Sequence, residues 1–249
     1  MVHLSVNVNK VATLRNSRGG TQPRVLDAVD VCLRAGVFGI TVHPRADRRH
    51  ITPEDVRDIK RVLEKHSRRV EFNIEGDPRP DLVDLVLAVK PDQCTLVPVA
   101  PGEITSQAGW TEGPSSSGLP STVGRLKSAG IRVSLFVDPD PTSVRFAAAA
   151  GADRIELYTE PFARAFERGR DDATRSFALY AGASRLAHEL GMGVNAGHDL
   201  DLDNLVMFRD LPFLVEVSIG HAIMSRAVFV GLERVVREYL EVLGGRPVD

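Results

Sequence analysis

Three histidines stand where short apolar runs end: His43 in "GITVHP", His198 in "GVNAGHDL" and His221 in "SIGHAI". Imidazole titrates nearest to neutral pH, so a histidine at a strand end is placed for proton transfer. Carboxylates occur in the same kind of run: Glu71 and Glu75 in "VEFNIEG", Glu156 in "RIELYT" and Glu216 in "LVEVSIG". His43, His198 and Glu71 could also compose a two-histidine, one-carboxylate metal set. None of them shares the i, i+4 or C-x-x-C spacing that marks a metal site strongly. Gly197 and Gly220 each end an apolar run, and a helix follows Gly220. A glycine leading into a helix N-terminus suits a phosphate. Arg45 and His50, in "PRADRRHI", could hold a second one, because the guanidinium fork matches phosphate oxygens. The interleaved Asp47 argues against a long polyanion there. Arg48 and Arg49 are explained equally well as solvated surface charge.

These residues need elements to position them, and the chain alternates short β-type runs with longer helical ones. The strand-like runs are "HLSVNVN" (His3 to Asn9), "GITVHP", "RVEFNIEG", "QCTLVP", "RVSLFVD", "RIELYT", "GVNAG" and "LVEVSIG". Between them lie helical stretches such as Arg24 to Gly36, ended by glycine, and the stretch from Thr52, which supplies an N-cap followed by Pro53 and acids. A longer helix is expected from about Arg168 to Leu190, and a closing one from His221 to Leu243. An unbroken βα alternation implies parallel strands with right-handed crossovers. Eight units favour an α/β fold of the (β/α)8 TIM-barrel kind with extra helices, one domain over 1–249. No strand leads into a GxGxxG or GxxxxGK[ST] loop. The polar segment at about 102–118, after the fourth strand, lies at the chemical end of such a barrel and reads as a lid.

Strand parity then assigns faces. Ile40 and Val42 point to the helices, so Thr41 and His43 point inward. The same rule turns Ser5, Asn7, Asn9, Glu71, Asn73, Glu75, Ser134, Asp138, Glu156, Tyr158, Asn195, Glu216 and Ser218 into the lumen. A barrel lumen normally holds branched apolar residues. Several inward carboxylates and amides imply a wet cavity, since an unpaired buried carboxylate is costly or becomes neutral.

Composition sets the outer limits. The 249 residues carry a net charge of −2, with 43% apolar and 26% charged residues, as in ordinary globular proteins. A general nucleic-acid binder would be basic, so no nucleic-acid partner is expected. No apolar run approaches the length of a membrane span. Two cysteines, Cys32 and Cys94, and no signal-peptide pattern point to free thiols in a reducing cytoplasm.

Seven stretches occur in order: "SVNVNKVATLRNSRGG", "GITVHPRADRRHI", "VEFNIEG", "QCTLVP", "VSLFVD", "VNAGHDL" and "IGHAIMSRAV". Together they resemble the pyridoxine 5′-phosphate synthase family of vitamin B6 biosynthesis, from the first strand to the final helix. The resemblance implies a barrel enzyme assembled as a homo-octamer, a tetramer of dimers, needing no metal or organic cofactor. It implies condensation of 3-amino-2-oxopropyl phosphate with 1-deoxy-D-xylulose 5-phosphate, giving pyridoxine 5′-phosphate, phosphate and water. It makes His43, Glu71 and His198 the acid–base groups and Glu156 the stabiliser of cationic intermediates. Asn7, Arg18, Asp199, Gly220 and His221 would hold the aminoketone phosphate. Asn9, Lys10, Arg45, His50 and Thr105 would hold the sugar phosphate. Asn9-Lys10 stands where some members have Asp-His, and "VAPGE" stands where some carry a charged run. Position along the strand favours Glu75 over Glu71, because it is nearer the catalytic rim; the motif is read as pointing to Glu71.

Two other readings use the same residues. A phosphate-binding barrel without turnover would keep the glycine loops and arginines but could drop the acid–base groups. A metal-dependent aldolase or epimerase on the same fold would need a divalent ion. The joint presence of His43, Glu71, Glu156 and His198 favours the synthase.

Overall fold

Alternate residues of each strand are apolar and buried beneath the helices: Leu4 and Val6, Ile40 and Val42, Phe72 and Ile74, Leu135 and Val137, Ile155 and Leu157. Their partners on the other face are largely polar, so each strand has a helix side and a lumen side. The computed structural model describes residues 1–99 and 108–244. Eight parallel strands close in sequence order. They are β1 (His3–Asn7), β2 (Gly39–Val42), β3 (Glu71–Gly76), β4 (Gln93–Leu96), β5 (Arg132–Val137), β6 (Arg154–Tyr158), β7 (Gly193–Gly197) and β8 (Leu214–Ile219). β8 pairs back onto β1, with Ser5 opposite Ser218, which removes every sheet edge. The expected (β/α)8 barrel is therefore what the chain forms.

The outer ring contains α1 (Asn9–Asn16), α2 (Val25–Ala35), α3 (Pro53–Lys65), α4 (Pro80–Val89), α5 (Leu119–Ser128) and α6 (Pro141–Ala149). It continues with α7 (Glu160–Arg168), α8 (Arg170–Glu189), α9 (Leu205–Phe208), α10 (His221–Val230) and α11 (Leu232–Val242). α3 starts as expected: the Thr52 hydroxyl accepts from the Asp55 N–H, and the Asp55 carboxylate accepts from the Thr52 N–H.

Two boundaries differ from the sequence reading, and one helix is additional to it. The first strand stops at Asn7, and Asn9 opens α1 instead of extending the strand. The helix expected from about Arg168 to Leu190 is α8, and an additional helix, α7, precedes it and is separated from it at Gly169 with φ 127°. The closing helix expected from His221 to Leu243 is two, α10 and α11, divided at Gly231 with φ 89°. Both glycines hold conformations that other residues rarely adopt, which is why helix periodicity cannot run through them. Cys32 and Cys94 are buried free thiols. No helix among the described residues is long and apolar enough to cross a membrane.

The wall behind β6 and β7 rests on an aromatic cluster. Phe208 packs against Phe162 at 4.9 Å and Tyr180 at 5.3 Å between ring centroids, and all three are buried. The Tyr180 hydroxyl donates to the Tyr158 carbonyl at 2.6 Å, tying the cluster to the end of β6. Phe208→Ala should cost about 3–5 kcal/mol, since a large buried ring leaves a cavity. Urea unfolding with an unchanged slope would read this as a lower midpoint; a loss under about 1 kcal/mol would show that the cluster is not supporting this wall.

Candidate active site

The lumen is layered, and the layers differ in how their polar groups are satisfied. At the N-terminal end, Glu71 pairs with Arg132, while Arg154 reaches Glu216 at 3.4 Å and Asn195 at 3.2 Å. Arg132 also donates to Gln93 at 2.9 Å. Two carboxylates thus face two guanidinium groups. Above them runs a hydrogen-bonded belt: Ser5 to Thr41 at 2.7 Å, Asn73 to Thr41 at 3.4 Å, and Thr95 to Asn73 at 3.1 Å. These two layers fill the bottom of the barrel with largely paired groups, although Ser134 Oγ and Asn195 Nδ2 have no hydrogen-bond partner among the described residues.

At the C-terminal mouth the lumen opens into a cavity of ≈ 420 Å³. His43, Glu75, Glu156 and His198 converge there. The Asn9 carboxamide oxygen accepts from the His43 N–H at 2.9 Å, and the Asn9 N–H donates to Asn7 Oδ1 at 3.0 Å. The start of α1 therefore fixes the end of β2. His43 Nδ1 lies 3.9 Å from Glu75 Oε2. Glu75 accepts from Asn7 Nδ2 at 3.4 Å and from the Ser218 hydroxyl at 3.5 Å. His43 Nε2 has no hydrogen-bond partner among the described residues.

Glu71, which the motif pointed to, does not line this cavity. Both glutamates point inward, because they are four residues apart on one strand. At about 3.3 Å per residue that separation is roughly 13 Å along the strand. Glu71 therefore sits in the bottom layer with Arg132, and Glu75 takes its place beside His43, as position along the strand favoured. The two-histidine, one-carboxylate set built on Glu71 is not assembled. Among the described residues no group of three or more His, Cys, Asp and Glu side chains is arranged to hold a metal ion.

Burial controls protonation. It pushes Glu75 up to about 8, against a pull from the Ser218 hydrogen bond and with a further push from the Glu216 charge. Glu156 is raised well above the usual carboxylate range, first by burial and then by Glu75. His43 is held well below the usual imidazole value by burial, then by His50, Arg45, Arg79 and His198. Near neutral pH the His43–Glu75 contact is thus a neutral imidazole beside a protonated carboxyl, holding one transferable proton.

His198 reaches the cavity through strained backbone. It has φ 79° and the next residue, Asp199, has φ 57°; such conformations cost about 1–3 kcal/mol each in non-glycine residues. The Thr159 hydroxyl holds this turn by contacts to the Gly197 carbonyl at 2.7 Å and to the His198 carbonyl. Asn204 Nδ2 donates to the Asp199 carbonyl at 3.0 Å. The ring of His198 packs on Phe136 at 5.0 Å and Tyr158 at 5.6 Å. Its pKa is lowered by burial and partly restored by Asp199. A Cβ at Gly197 would lie 2.4 Å from Glu156 Oε1, so a larger residue there would displace the Glu156 carboxyl.

Two cationic or N–H-rich flanks border the cavity. On one side are Asn9, Lys10, Arg45, His50 and also Arg49; on the other are Asn7, Asp199, Gly220 and His221 at the start of α10. His50 is depressed to about 4 by burial, then by the charges of Arg45 and Lys10. A Cβ at Gly220 would lie 2.9 Å from the Asn7 carbonyl oxygen, so that backbone approach also excludes other residues. Arg48 is exposed with φ 51° and does not line the cavity, whereas Arg49 does, its Nε donating to Asp47 at 2.7 Å. Arg18 is exposed in the turn after α1 and does not line the cavity, so the structure does not bring it to the other expected contacts. Thr105 lies outside the described residues, as does part of the expected lid; of that segment, Trp110 is buried and donates to the Leu96 carbonyl at 2.9 Å. Asp138 is not on the cavity wall: it accepts from the Gly109 N–H at 3.2 Å. Sequence reasoning passed over Phe136, which strand parity alone would place inward, and Thr159, which no local pattern marks.

The family of pyridoxal phosphate biosynthesis protein PdxJ matches residues 4–245. The chain belongs to the PdxJ family. Its relatives include the pyridoxine 5′-phosphate synthase of Christiangramia forsetii, 50% identical over 98% of this chain and 100% of that one. That of Leptospira biflexa is 49% identical over 98% of this chain and 97% of its own length. The expected family and its enzymatic character therefore hold. Among solved structures, phosphoribosyl anthranilate isomerase of Thermotoga maritima aligns with TM-score 0.64 at 15% identity, covering 99% of this chain and 100% of that one. That likeness concerns the barrel alone.

The protonation of Glu75 has a stability signature in this PdxJ-family fold. In the folded chain Glu75 keeps its proton to about pH 8, whereas an unfolded glutamate loses it near 4.3. Between those values the folded state binds the extra proton, so this contribution is full below about pH 4 and is lost as pH rises towards 8. Replacing Glu75 by Gln should flatten the decline by up to about 1.4 kcal/mol per pH unit. Urea titrations of both proteins from pH 5 to 8 measure it; parallel curves would show that Glu75 is ionised throughout.

Proposed function

We propose that this cavity condenses 3-amino-2-oxopropyl phosphate with 1-deoxy-D-xylulose 5-phosphate to give pyridoxine 5′-phosphate, inorganic phosphate and water. The observation that carries the reading is one cavity in which the His43–Glu75 pair and His198 lie between two anion-compatible flanks. Two phosphorylated substrates need two such flanks, and a ring closure with repeated dehydration needs several proton-transfer groups.

The amine of the aminoketone attacks the ketone of the sugar phosphate and loses water to form a Schiff base. Elimination of phosphate, aldol-type ring closure and a second dehydration follow. His43 and Glu75 carry the early proton transfers, their affinities displaced towards each other by burial. His198 protonates departing oxygen. Glu156, in mid-lumen, meets the iminium charge, which also favours its ionised form. Asn7, Asp199, Gly220 and His221 hold the aminoketone phosphate at the α10 N-terminus. Asn9, Lys10, Arg45 and His50 hold the sugar phosphate. We read the segment after Val97, a cavity residue, as the lid. We also read the protein as a cytoplasmic homo-octamer, a reading supported by the strongly exposed apolar side chains Leu14, Val228 and Phe229.

Mixing both substrates with the protein should produce pyridoxine 5′-phosphate absorbance with one phosphate released per ring; absence of both would overturn the reading. The two glutamates then separate the roles. Glu75→Gln should lower kcat by about 10²–10⁴-fold, as loss of a general acid–base group does. Glu71→Gln should instead lower stability by about 1–3 kcal/mol through its unpaired Arg132, with turnover largely retained. The reverse pattern would return the catalytic role to Glu71.

A further inference from the structure

α1 contributes Asn9, Lys10 and Thr13 to the cavity wall, yet it is weakly anchored by apolar packing. Only Val11 and Ala12 of the helix are buried, and its N-cap residue, Val8, supplies no side-chain cap. Its last turn is held differently. Arg15 meets Asp55 with two parallel bonds, Nη1 to Oδ1 at 2.6 Å and Nη2 to Oδ2 at 2.9 Å. The side chains are only 15% and 14% exposed. Asp55 also accepts from the Thr52 N–H at 2.8 Å and the Thr52 hydroxyl at 3.0 Å. The α3 cap is therefore complete without Arg15. Arg15 Nη2 further approaches the His50 carbonyl at 3.4 Å, and Asn16 Nδ2 donates to that carbonyl at 2.9 Å and to Arg49's at 3.3 Å.

We propose that Arg15 and Asp55 form a positioning clamp that sets the spacing between α1 and the β2–α3 loop, and so the shape of the sugar-phosphate end of the cavity. Neither residue lines the cavity. The clamp joins the helix carrying Asn9 and Lys10 to the loop carrying Arg45 and His50. A bidentate guanidinium–carboxylate pair fixes orientation as well as distance, which a lysine in place of Arg15 cannot reproduce. The opposite flank, formed by Gly220 and His221 at the start of α10, is not held by this pair. The proposal rests on the reading of the Arg45–His50 side as the sugar-phosphate site.

Steady-state kinetics of Arg15→Gln, Arg15→Lys and Asp55→Asn test it, with folding checked by thermal unfolding. In Arg15→Gln the KM for 1-deoxy-D-xylulose 5-phosphate should rise about tenfold, the loss of roughly one charge-assisted hydrogen bond. The KM for the aminoketone phosphate and kcat should stay within about twofold, with Arg15→Lys intermediate. The Arg15→Gln/Asp55→Asn double variant should be no worse than the worse single one. A parallel rise of both KM values, a fall confined to kcat, or no change overturns the clamp. Should the wild-type protein make no product, the proposed reaction fails and inorganic phosphate becomes the probe. Calorimetric loss of its binding in Arg15→Gln would then support the clamp; equal binding, or none in either protein, would overturn it.

Discussion

The fold depends on keeping polar side chains inside a closed barrel, where each must be paired, neutral or exposed to a cavity. The three solutions are stacked along the axis. At the bottom, opposite charges meet: Glu71 and Glu216 against Arg132 and Arg154. In the middle, neutral hydroxyls and amides from Ser5 through Thr95 bond to one another. At the mouth, Glu75, Glu156 and the histidines lack countercharges and are held in their neutral forms by burial. The groups suited to proton transfer stand in the layer without countercharges. The paired layers below keep the strands at a fixed register, so the unpaired groups cannot relax into ion pairs with them.

Much of this was legible in the sequence because barrels convert order into space. Strand sequence gave neighbour relations, and parity gave the lumen face for Thr41, His43, Glu156 and Ser218 without any knowledge of loops. What parity cannot supply is height. "VEFNIEG" offers Glu71 and Glu75 on the same face, and their difference in depth depends on how β3 is staggered against its neighbours. With Glu75 opposite Thr95 and Glu71 opposite Gly39, one lies towards the mouth and the other at the base. The break in the closing helix was hidden for a different reason. Gly231 divides the run read as one closing helix from His221 to Leu243, and only its φ of 89° reveals the division.

The overall charge concealed the site as well. A net charge of −2 coexists with a cationic rim because acids are paired with the basic residues that surround the rim: Asp47 with Arg49, Asp55 with Arg15, Asp77 with Arg79. Arg79 also donates to the Pro44 carbonyl, so a residue outside the cavity helps hold the loop after His43. These pairs serve as braces more than as sources of stability, since partly exposed ion pairs contribute little energy. Their value is geometric. They orient backbone carbonyls and loops that carry the groups facing the cavity.

The neutral state of the mouth follows from the same arrangement and bears on how the cavity would work. His50 is depressed to about 4 by burial and by the nearby cations Arg45 and Lys10, not by any fixed hydrogen bond to its neutral form. His43 is depressed in part by the same cationic field. A phosphate dianion placed among these groups reverses the local sign and favours imidazolium. The proton affinity of the histidines is thus a property of the filled cavity rather than of the residues alone. Glu75, beside His43, responds in the same sense, because added negative charge favours its protonated form. Substrate charge would therefore raise both members of the pair together, keeping a proton available between them while the anion is bound and releasing it as phosphate departs.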